Sequence, residues 1–221
     1  MKLLSVNRAR SIWVGNLIDL NPRGYSLIRI VPDIINKYGF QKFPTKFEEF
    51  DPAEGVKFLG GIYQNDAKHK INVDIQIFNW GSVVDTRSST KDSDDFLDEF
   101  LTWIVKEMDL VPYQEIIRTK VYLSELSVQT DKSLNALNPK LDKFARRLTS
   151  LIAGHEHHPI KLETSAIALS TDPNIVGPPG AFRFERAENI PFSENRYYSA
   201  APLQTDIHLE MLKELESILK S

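Results

Sequence analysis

Two neighbouring stretches of the chain show the clearest alternation of apolar and polar residues. Between residues 70 and 78 every second side chain is apolar, which is typical of a strand with one buried face. Between residues 93 and 108 apolar side chains recur at spacings of three and four, which predicts a helix with one apolar stripe. The strand face consists of Ile71, Val73, Ile75 and Ile77. The helix stripe includes Phe100 and Ile104, and we predict that it packs on this strand face.

The same patterns predict about seven strands and four helices in the whole chain. Other strands are expected at residues 11–20, 56–63, 115–129, 160–170, 181–186 and 196–200. Other helices are expected at residues 25–38, 139–153 and 205–220. Strand–helix–strand alternation is not sustained, so an antiparallel or mixed sheet fits better than a parallel one. The predicted fold class is therefore α+β, with an antiparallel or mixed sheet, or more than one sheet, and about four helices packed on one face.

Two of these helices carry apolar stripes that are expected to be buried. In the helix that starts at Asn138 and Pro139, a favourable N-cap followed by a favourable first residue, the stripe is Leu141, Phe144, Leu148, Leu151 and Ile152. The C-terminal helix has about 16 residues, which is marginal for an isolated helix in water. Its stripe must lie on something, and we favour its own domain over a partner protein because short connections usually join packed neighbours.

Three local features leave alternatives open. Pro32 either kinks a helix or stands in its first turn. The pair Gly60-Gly61 interrupts a strand, which indicates a β-bulge. Residues 41–54 alternate phenylalanines with charged residues, and the two prolines in this stretch argue against a regular element. This stretch is expected to be a connection whose aromatic rings enter the core, and the alternative is a groove for a ligand or partner.

Length and composition are those of an ordinary soluble globular protein. The 221 residues suit one large domain or two small ones, and we predict a single domain over residues 1–221, with a division near 64–70 or 111–115 as the alternative. The net charge of −3 gives no strong field toward nucleic acid or an anionic membrane. The absence of cysteine excludes disulfides, thiolate nucleophiles and cysteine metal sites. No signal peptide or membrane-length apolar run is evident, so a cytoplasmic protein without membrane contact is predicted.

One cluster has the residue types of a metal site. His155, His157 and His158 lie together around Glu156, just after the predicted stop of a helix at Gly154. Imidazole and carboxylate groups are ligands for zinc, manganese or iron. Adjacent side chains usually diverge, however, and no HExxH motif is present. The cluster therefore predicts either a metal site or a polar loop in which imidazoles favour the helix C-terminus.

Other catalytic arrangements have weaker support. A metal-dependent nuclease needs clustered carboxylates, for which Asp74, Asp85 and Glu163 are the best candidates. Exposed polar positions on half-buried strands explain the same three residues. The glycine patterns of phosphate-binding loops and the GxSxG motif of hydrolases are absent from the sequence, and no cofactor-binding residues are predicted.

Two predicted helices carry opposite charges. The helix after Asn138 has Lys140, Lys143, Arg146 and Arg147, whereas the helix after Ser93 is rich in aspartate and glutamate. Solvated faces are the simplest explanation. The basic face is also the one place where nucleic-acid phosphates could bind, and a further alternative is that the two faces meet in an intermolecular contact.

A last set of residues has the composition of a protein interface. Arginine and tyrosine, which often anchor interfaces, are concentrated in two short strands. The partner-binding candidates are Arg183, Arg186, Arg196, Tyr197 and Tyr198. Edge packing around the core is the alternative role.

These observations favour one function and leave a second open. Since no strong catalytic arrangement is present, we predict a noncatalytic protein-binding or assembly module of a soluble complex or a homo-oligomer. The alternative is a metal-dependent hydrolase or nuclease that uses the cluster from His155 to His158.

Overall fold

The structure, a computed structural model, describes residues 1–153, 160–172, 174 and 180–220. Over these residues the fold is α+β and contains eight strands and four α-helices. The strands are β1 (Lys2–Val14), β2 (Val56–Gln64), β3 (Lys70–Phe78), β4 (Gly81–Thr86), β5 (Thr119–Gln129), β6 (Ala166–Leu169), β7 (Phe182–Arg186) and β8 (Arg196–Ala201). The helices are α1 (Val31–Tyr38), α2 (Thr90–Met108), α3 (Pro139–Ala153) and α4 (Thr205–Lys220). The sheet is antiparallel with the strand order β2-β3-β4-β1-β5-β8-β7-β6, and the predicted fold class is confirmed.

The chain divides into two compact units. The N-terminal unit comprises Val6–Ser124 and Pro202–Thr205, and the C-terminal unit comprises Met1–Ser5, Glu125–Ala201 and Asp206–Ser221. The strands β1 and β5 contribute residues to both units. That the whole chain forms a single domain stays a prediction.

The core of the N-terminal unit is formed by strands and by the helices α1 and α2. Antiparallel pairing joins β2 to β3, β3 to β4, and β4 to β1. Phe100 and Ile104 of α2 lie in one buried cluster with Ile71, Val73 and Ile75 of β3, as the sequence predicts. Ser89 caps α2, because its hydroxyl oxygen accepts a hydrogen bond from the Asp92 backbone N–H at 3.0 Å.

Proline and glycine act in this unit as their backbone preferences dictate. Pro32 stands in the first turn of α1, after a 3₁₀ turn at Leu27–Ile30, so it starts the α-helix and does not kink it. The helix ends at Gly39, whose φ of 64° is a left-handed value that favours glycine. The pairing of β2 with β3 slips between Phe58 and Gly61, where Gly60 has a φ of 70°. The predicted β-bulge is therefore confirmed.

Three predicted strands have different bounds in the structure, and the one predicted over residues 115–129 begins only at Thr119, as β5. β1 runs from Lys2 to Val14, and the predicted strand over residues 11–20 is wrong beyond Val14, because Leu17–Leu20 is a 3₁₀ turn. The strand predicted over residues 160–170 shortens to β6. The backbone N–H groups of Leu162 and Thr164 donate instead to the side chains of Thr149 and Asn135. An alternating pattern makes a strand only where a second strand is available to pair with it.

The C-terminal unit has its own core. Phe184 and Tyr197 stack with ring centroids 4.5 Å apart, and both side chains are buried. Leu212 and Leu219 of α4 are also buried, whereas Met211 and Ile218 on the same helix are exposed. α3 differs from the other helices of the chain, since it has no buried residue. Of the helices in the described part of the chain, none has the length and apolar character needed to cross a membrane.

Candidate functional site

The apolar stripe of α3 is exposed, and the prediction that Leu141, Phe144, Leu148 and Leu151 are buried is wrong. Their exposed fractions are 44%, 62%, 37% and 62%. The fifth predicted member, Ile152, is half-buried. A stripe of four large apolar side chains on the open side of a helix is unusual for a protein that has no partner.

Another line of residues on α3 faces the rest of the C-terminal unit. Asp142, Ala145 and Thr149 are half-buried, as is Ile152 one turn further on. The Thr149 hydroxyl accepts a hydrogen bond from the Leu162 backbone N–H at 3.0 Å. Asp142 pairs with Arg146 on the next turn of the same helix. The hydrogen bond between Leu162 and Thr149 ties α3 to the unit along this narrow, half-buried line, and the apolar stripe stays exposed.

The exposed stripe of α3 is bordered by positive charge. Lys140, Lys143, Arg146 and Arg147 are all exposed. Because Arg146 forms the ion pair with Asp142, the other three carry the unbalanced positive charge of the helix. The surface therefore combines apolar anchors with cations, as amphipathic helices that bind grooves often do.

A second apolar surface lies within the N-terminal unit. A groove of about 810 Å³, which we call the apolar groove, is formed where two 3₁₀ turns and the segment from Phe47 to Pro52 come together. Its apolar lining includes Leu17, Ile18, Tyr25, Ile28, Phe47, Phe50, Ile77 and Phe78. Ile18 is 60% exposed and Phe47 is 82% exposed. Exposed apolar grooves of this kind are typical of binding sites.

The position of Phe47 follows from local hydrogen bonding. The Glu49 carboxylate accepts hydrogen bonds from the backbone N–H groups of Thr45 at 2.7 Å and Lys46 at 3.2 Å, which caps the 3₁₀ turn Phe47–Phe50. The same hydrogen bonds lower the pKa of Glu49. With the turn capped, Phe50 packs against the core while Phe47 projects outward. Phe50 therefore fits the first alternative for residues 41–54, and binding of a ligand or partner beside Phe47 stays a prediction.

The charged residues that line the apolar groove are acidic. They are Glu48 and Asp51, both of which are exposed. One Asp51 oxygen accepts a hydrogen bond from the Ala53 backbone N–H at 2.8 Å. The groove therefore has an apolar interior and a negatively charged rim.

A third surface, the acidic side of α2, is largely occupied by its own hydrogen bonds. Asp94 accepts hydrogen bonds from Ser11, from the Trp13 indole at 2.7 Å and from the Tyr122 hydroxyl at 2.8 Å. In the same way Tyr113 donates to Asp98, while Glu99 accepts from Tyr38 and pairs with Lys37. Lys120 covers the Trp13 ring at 3.6 Å from its centroid. Most of these carboxylates thus hold α2 in place, which fits a structural role.

Two buried tyrosines on this side of α2 have raised pKa values. Burial raises the pKa of Tyr63 to about 12, and the nearby carboxylates of Glu99 and Asp95 add to the shift. The pKa of Tyr38 is also raised, first by burial and then by the charge of Glu99. The Tyr38 hydroxyl donates a hydrogen bond to Glu99 at 3.1 Å, which places a protonated phenol against that carboxylate.

The predicted interface residues of β7 and β8 separate into two groups. Arg186 and Tyr197 are 8% and 0% exposed. The Arg186 guanidinium donates to the carbonyl oxygens of Thr164 and Phe192 and to Glu163 at 3.0 Å, so it ties loops of the C-terminal unit together. Arg183 and Arg196 are exposed and Tyr198 is half-buried. Partner binding through this set stays a prediction, and only the second group is accessible to a partner.

The three carboxylates predicted for a nuclease site do not all belong to one unit, and the predicted histidine cluster is not described. Asp74 and Asp85 are cross-strand neighbours, where Arg10 forms two hydrogen bonds to Asp85 at 2.8 and 2.7 Å. Glu163 belongs to the other unit. His155, His157 and His158 lie outside the described residues, so the metal site stays a prediction. In the described part of the chain, no group of three or more histidine, aspartate or glutamate side chains is arranged to hold a metal ion.

Comparison with known proteins leaves the function open. No family model matches the chain, and neither does any curated protein. Among solved structures the chain is similar to one described as Methanococcus jannaschii TBP, with 13% sequence identity and a TM-score of 0.43. The similarity covers 99% of this chain and 97% of that chain. At this TM-score the likeness does not assign a function.

Sequence reasoning missed one side of the apolar groove. The sequence predicts a groove at residues 41–54 as one alternative, but its periodicity places Ile18, Tyr25 and Ile28 in a strand and a helix with buried faces. The neighbouring Asn21-Pro22-Arg23-Gly24 turn was the available clue, because apolar side chains in short turns have little core to enter.

Proposed function

We propose that this protein is a noncatalytic protein-binding module and that it contacts its partner through the apolar stripe of α3. The observation that carries the proposal is the exposure of Leu141, Phe144, Leu148 and Leu151 on a helix that has no buried residue. Burying apolar surface is the main favourable contribution to protein association. A partner that covered this stripe would supply the apolar contact that the described part of the chain does not provide.

The charge around the stripe supports a partner with an acidic rim. Lys140, Lys143 and Arg147 border the apolar anchors, and complementary charge accelerates docking and selects among partners. Nucleic acid remains a lesser alternative at the same helix. Phosphate binding would depend on the cations alone and would leave the four apolar side chains without a role.

The experiment compares partners captured from a native extract by three forms of the protein. The forms are the wild type, the double variant Phe144→Ser/Leu151→Ser on α3, and the control Ile218→Ser, which changes an exposed apolar residue of α4. Bound proteins are quantified by mass spectrometry, and thermal denaturation confirms that all three forms are folded. We expect the wild type and Ile218→Ser to retain the same partner and the α3 variant to lose it. Equal capture by all three forms would contradict the proposal.

A further inference from the structure

Two large apolar surfaces of this chain are exposed, and their properties are complementary. The stripe of α3 projects from a helix, whereas the apolar groove of the N-terminal unit is concave. We propose that the apolar groove of one copy binds α3 of a second copy, so that the chain assembles with itself. This inference rests on the proposed function and names the partner as another copy of the chain.

The spacing of the anchors on α3 suits a groove. Leu141, Phe144, Leu148 and Leu151 follow the i, i+3, i+7, i+10 pattern by which an amphipathic helix places one face into an apolar groove. The 15 residues of α3 span about 22 Å, enough to present all four anchors at once. The groove offers Ile18, Phe47 and the other apolar lining as the receiving surface.

Charge favours the same pairing. The charged residues that line the groove, Glu48 and Asp51, are carboxylates, and the unbalanced charge beside the stripe belongs to Lys140, Lys143 and Arg147. In a docked complex the apolar side chains would be covered while the cations meet an acidic rim. This arrangement avoids burying unpaired charge, which would cost more than the contact gains.

The acidic side of α2 is a weaker candidate than the apolar groove for the surface that binds α3. Its carboxylates already accept hydrogen bonds from Trp13, Tyr122 and Tyr113. The rings of Trp13 and Tyr63 that line this side are buried, at 1% and 6% exposure. It therefore offers charge but little accessible apolar surface for the α3 stripe.

The two surfaces differ from each other, so the contact is heterologous: each copy offers one helix and one groove. Such a contact closes into a ring or continues into a longer assembly, depending on the rotation between copies. The average mass of the assemblies should increase with protein concentration, because the contact forms between molecules.

A mixing experiment tests this geometry with the full chain. The helix variant Phe144→Ser/Leu151→Ser keeps an intact groove, and the groove variant Phe47→Ser keeps an intact helix. Sedimentation velocity is measured for the wild type, for each variant and for the equimolar mixture, with Ile218→Ser as the control. Because all the altered residues are exposed, the variants should keep the wild-type melting temperature.

We expect the wild type and Ile218→Ser to self-associate and each of the two variants to be monomeric. The loss of affinity should be about a hundredfold for the helix variant, since two apolar anchors are removed. The equimolar mixture should form a one-to-one complex, because one intact helix can meet one intact groove. A wild type that stays monomeric at high micromolar concentration would overturn the inference. Variants that still self-associate, or a mixture that stays monomeric, would also overturn it.

Charge reversal provides a second measurement that does not depend on the serine variants. Glu48→Lys and Lys143→Glu should each weaken self-association, and mixing the two should restore it in part. If the wild type does not self-associate but the α3 variant loses a different protein captured from the extract, this inference is rejected and the proposed function stands. Failure of both would reject the proposed function as well.

Discussion

The helices α2 and α3 both have amphipathic sequences, but the apolar stripe is buried in α2 and exposed in α3. Phe100 of α2 is 0% exposed, whereas Phe144 of α3 is 62% exposed. Both side chains lie at the centre of an apolar stripe with helical spacing. The face of β3 covers the stripe of α2, but no described element of the C-terminal unit covers the stripe of α3. Amphipathicity thus identifies an apolar stripe, and among the described residues only the stripe of α2 is covered by its own unit.

The polar sides of the two helices also differ. On α2 the carboxylates are hydrogen-bonded to tyrosine and tryptophan side chains of the same unit. On α3 the cations remain exposed, apart from the pair between Arg146 and Asp142. α2 is therefore fixed on both sides, while α3 leaves both its apolar stripe and its cations exposed.

Replacing one phenylalanine in each helix tests the comparison most directly. Phe100→Ala should reduce the free energy of unfolding by about 3–5 kcal/mol, because it leaves a cavity in the core. Phe144→Ala should change it by less than about 0.5 kcal/mol, because the side chain is exposed. Urea denaturation at low protein concentration measures both values. Similar losses for the two variants would show that α3 is packed against its own unit.

The second test uses α4, which has both a buried and an exposed side. His208 is fully buried, with Nε2 2.8 Å from the Ser199 hydroxyl, and burial lowers its pKa from 6.5 to about 4. Between these values the unfolded chain binds more protons than the folded one, so stability falls as the pH falls. From about pH 7.5 to about pH 5 the free energy of unfolding should drop by about 2 kcal/mol through this residue.

Unfolding of matched variants isolates the contribution of His208. His208→Asn should remove most of this pH dependence, although its stability at neutral pH will be lower. The control Ile218→Ser alters an exposed, non-titrating residue of the same helix and should keep the wild-type slope. Equal slopes for the wild type and His208→Asn would show that His208 does not titrate as its burial requires.

The smallest expected effect concerns the helix caps. Ser89→Ala removes the acceptor for the Asp92 N–H and should reduce the global free energy of unfolding by about 1 kcal/mol, because α2 unfolds with the core. Asn138 Oδ1 accepts hydrogen bonds from the backbone N–H groups of Lys140 and Leu141, at 3.0 and 3.1 Å. Asn138→Ala should instead speed amide hydrogen exchange within α3 and leave the global free energy of unfolding nearly unchanged. A global loss of the same size for both variants would show that α3 unfolds together with the core.

The sequence by itself determined the elements and the class of this fold. Periodicity located α2, α3, α4 and most strands, and the paired glycines correctly indicated the bulge at Gly60. These features depend on backbone preferences and on neighbours within a few residues, which a single chain segment contains.

The tertiary structure alone decided which apolar stripes are covered. Helical spacing places Leu141, Phe144, Leu148 and Leu151 on one face, but the surface opposite that face comes from residues distant in the sequence. The apolar groove has the same origin, since Ile18 and Phe47 meet only after folding. Burial is a property of pairs of surfaces, so one pattern on one segment cannot specify it.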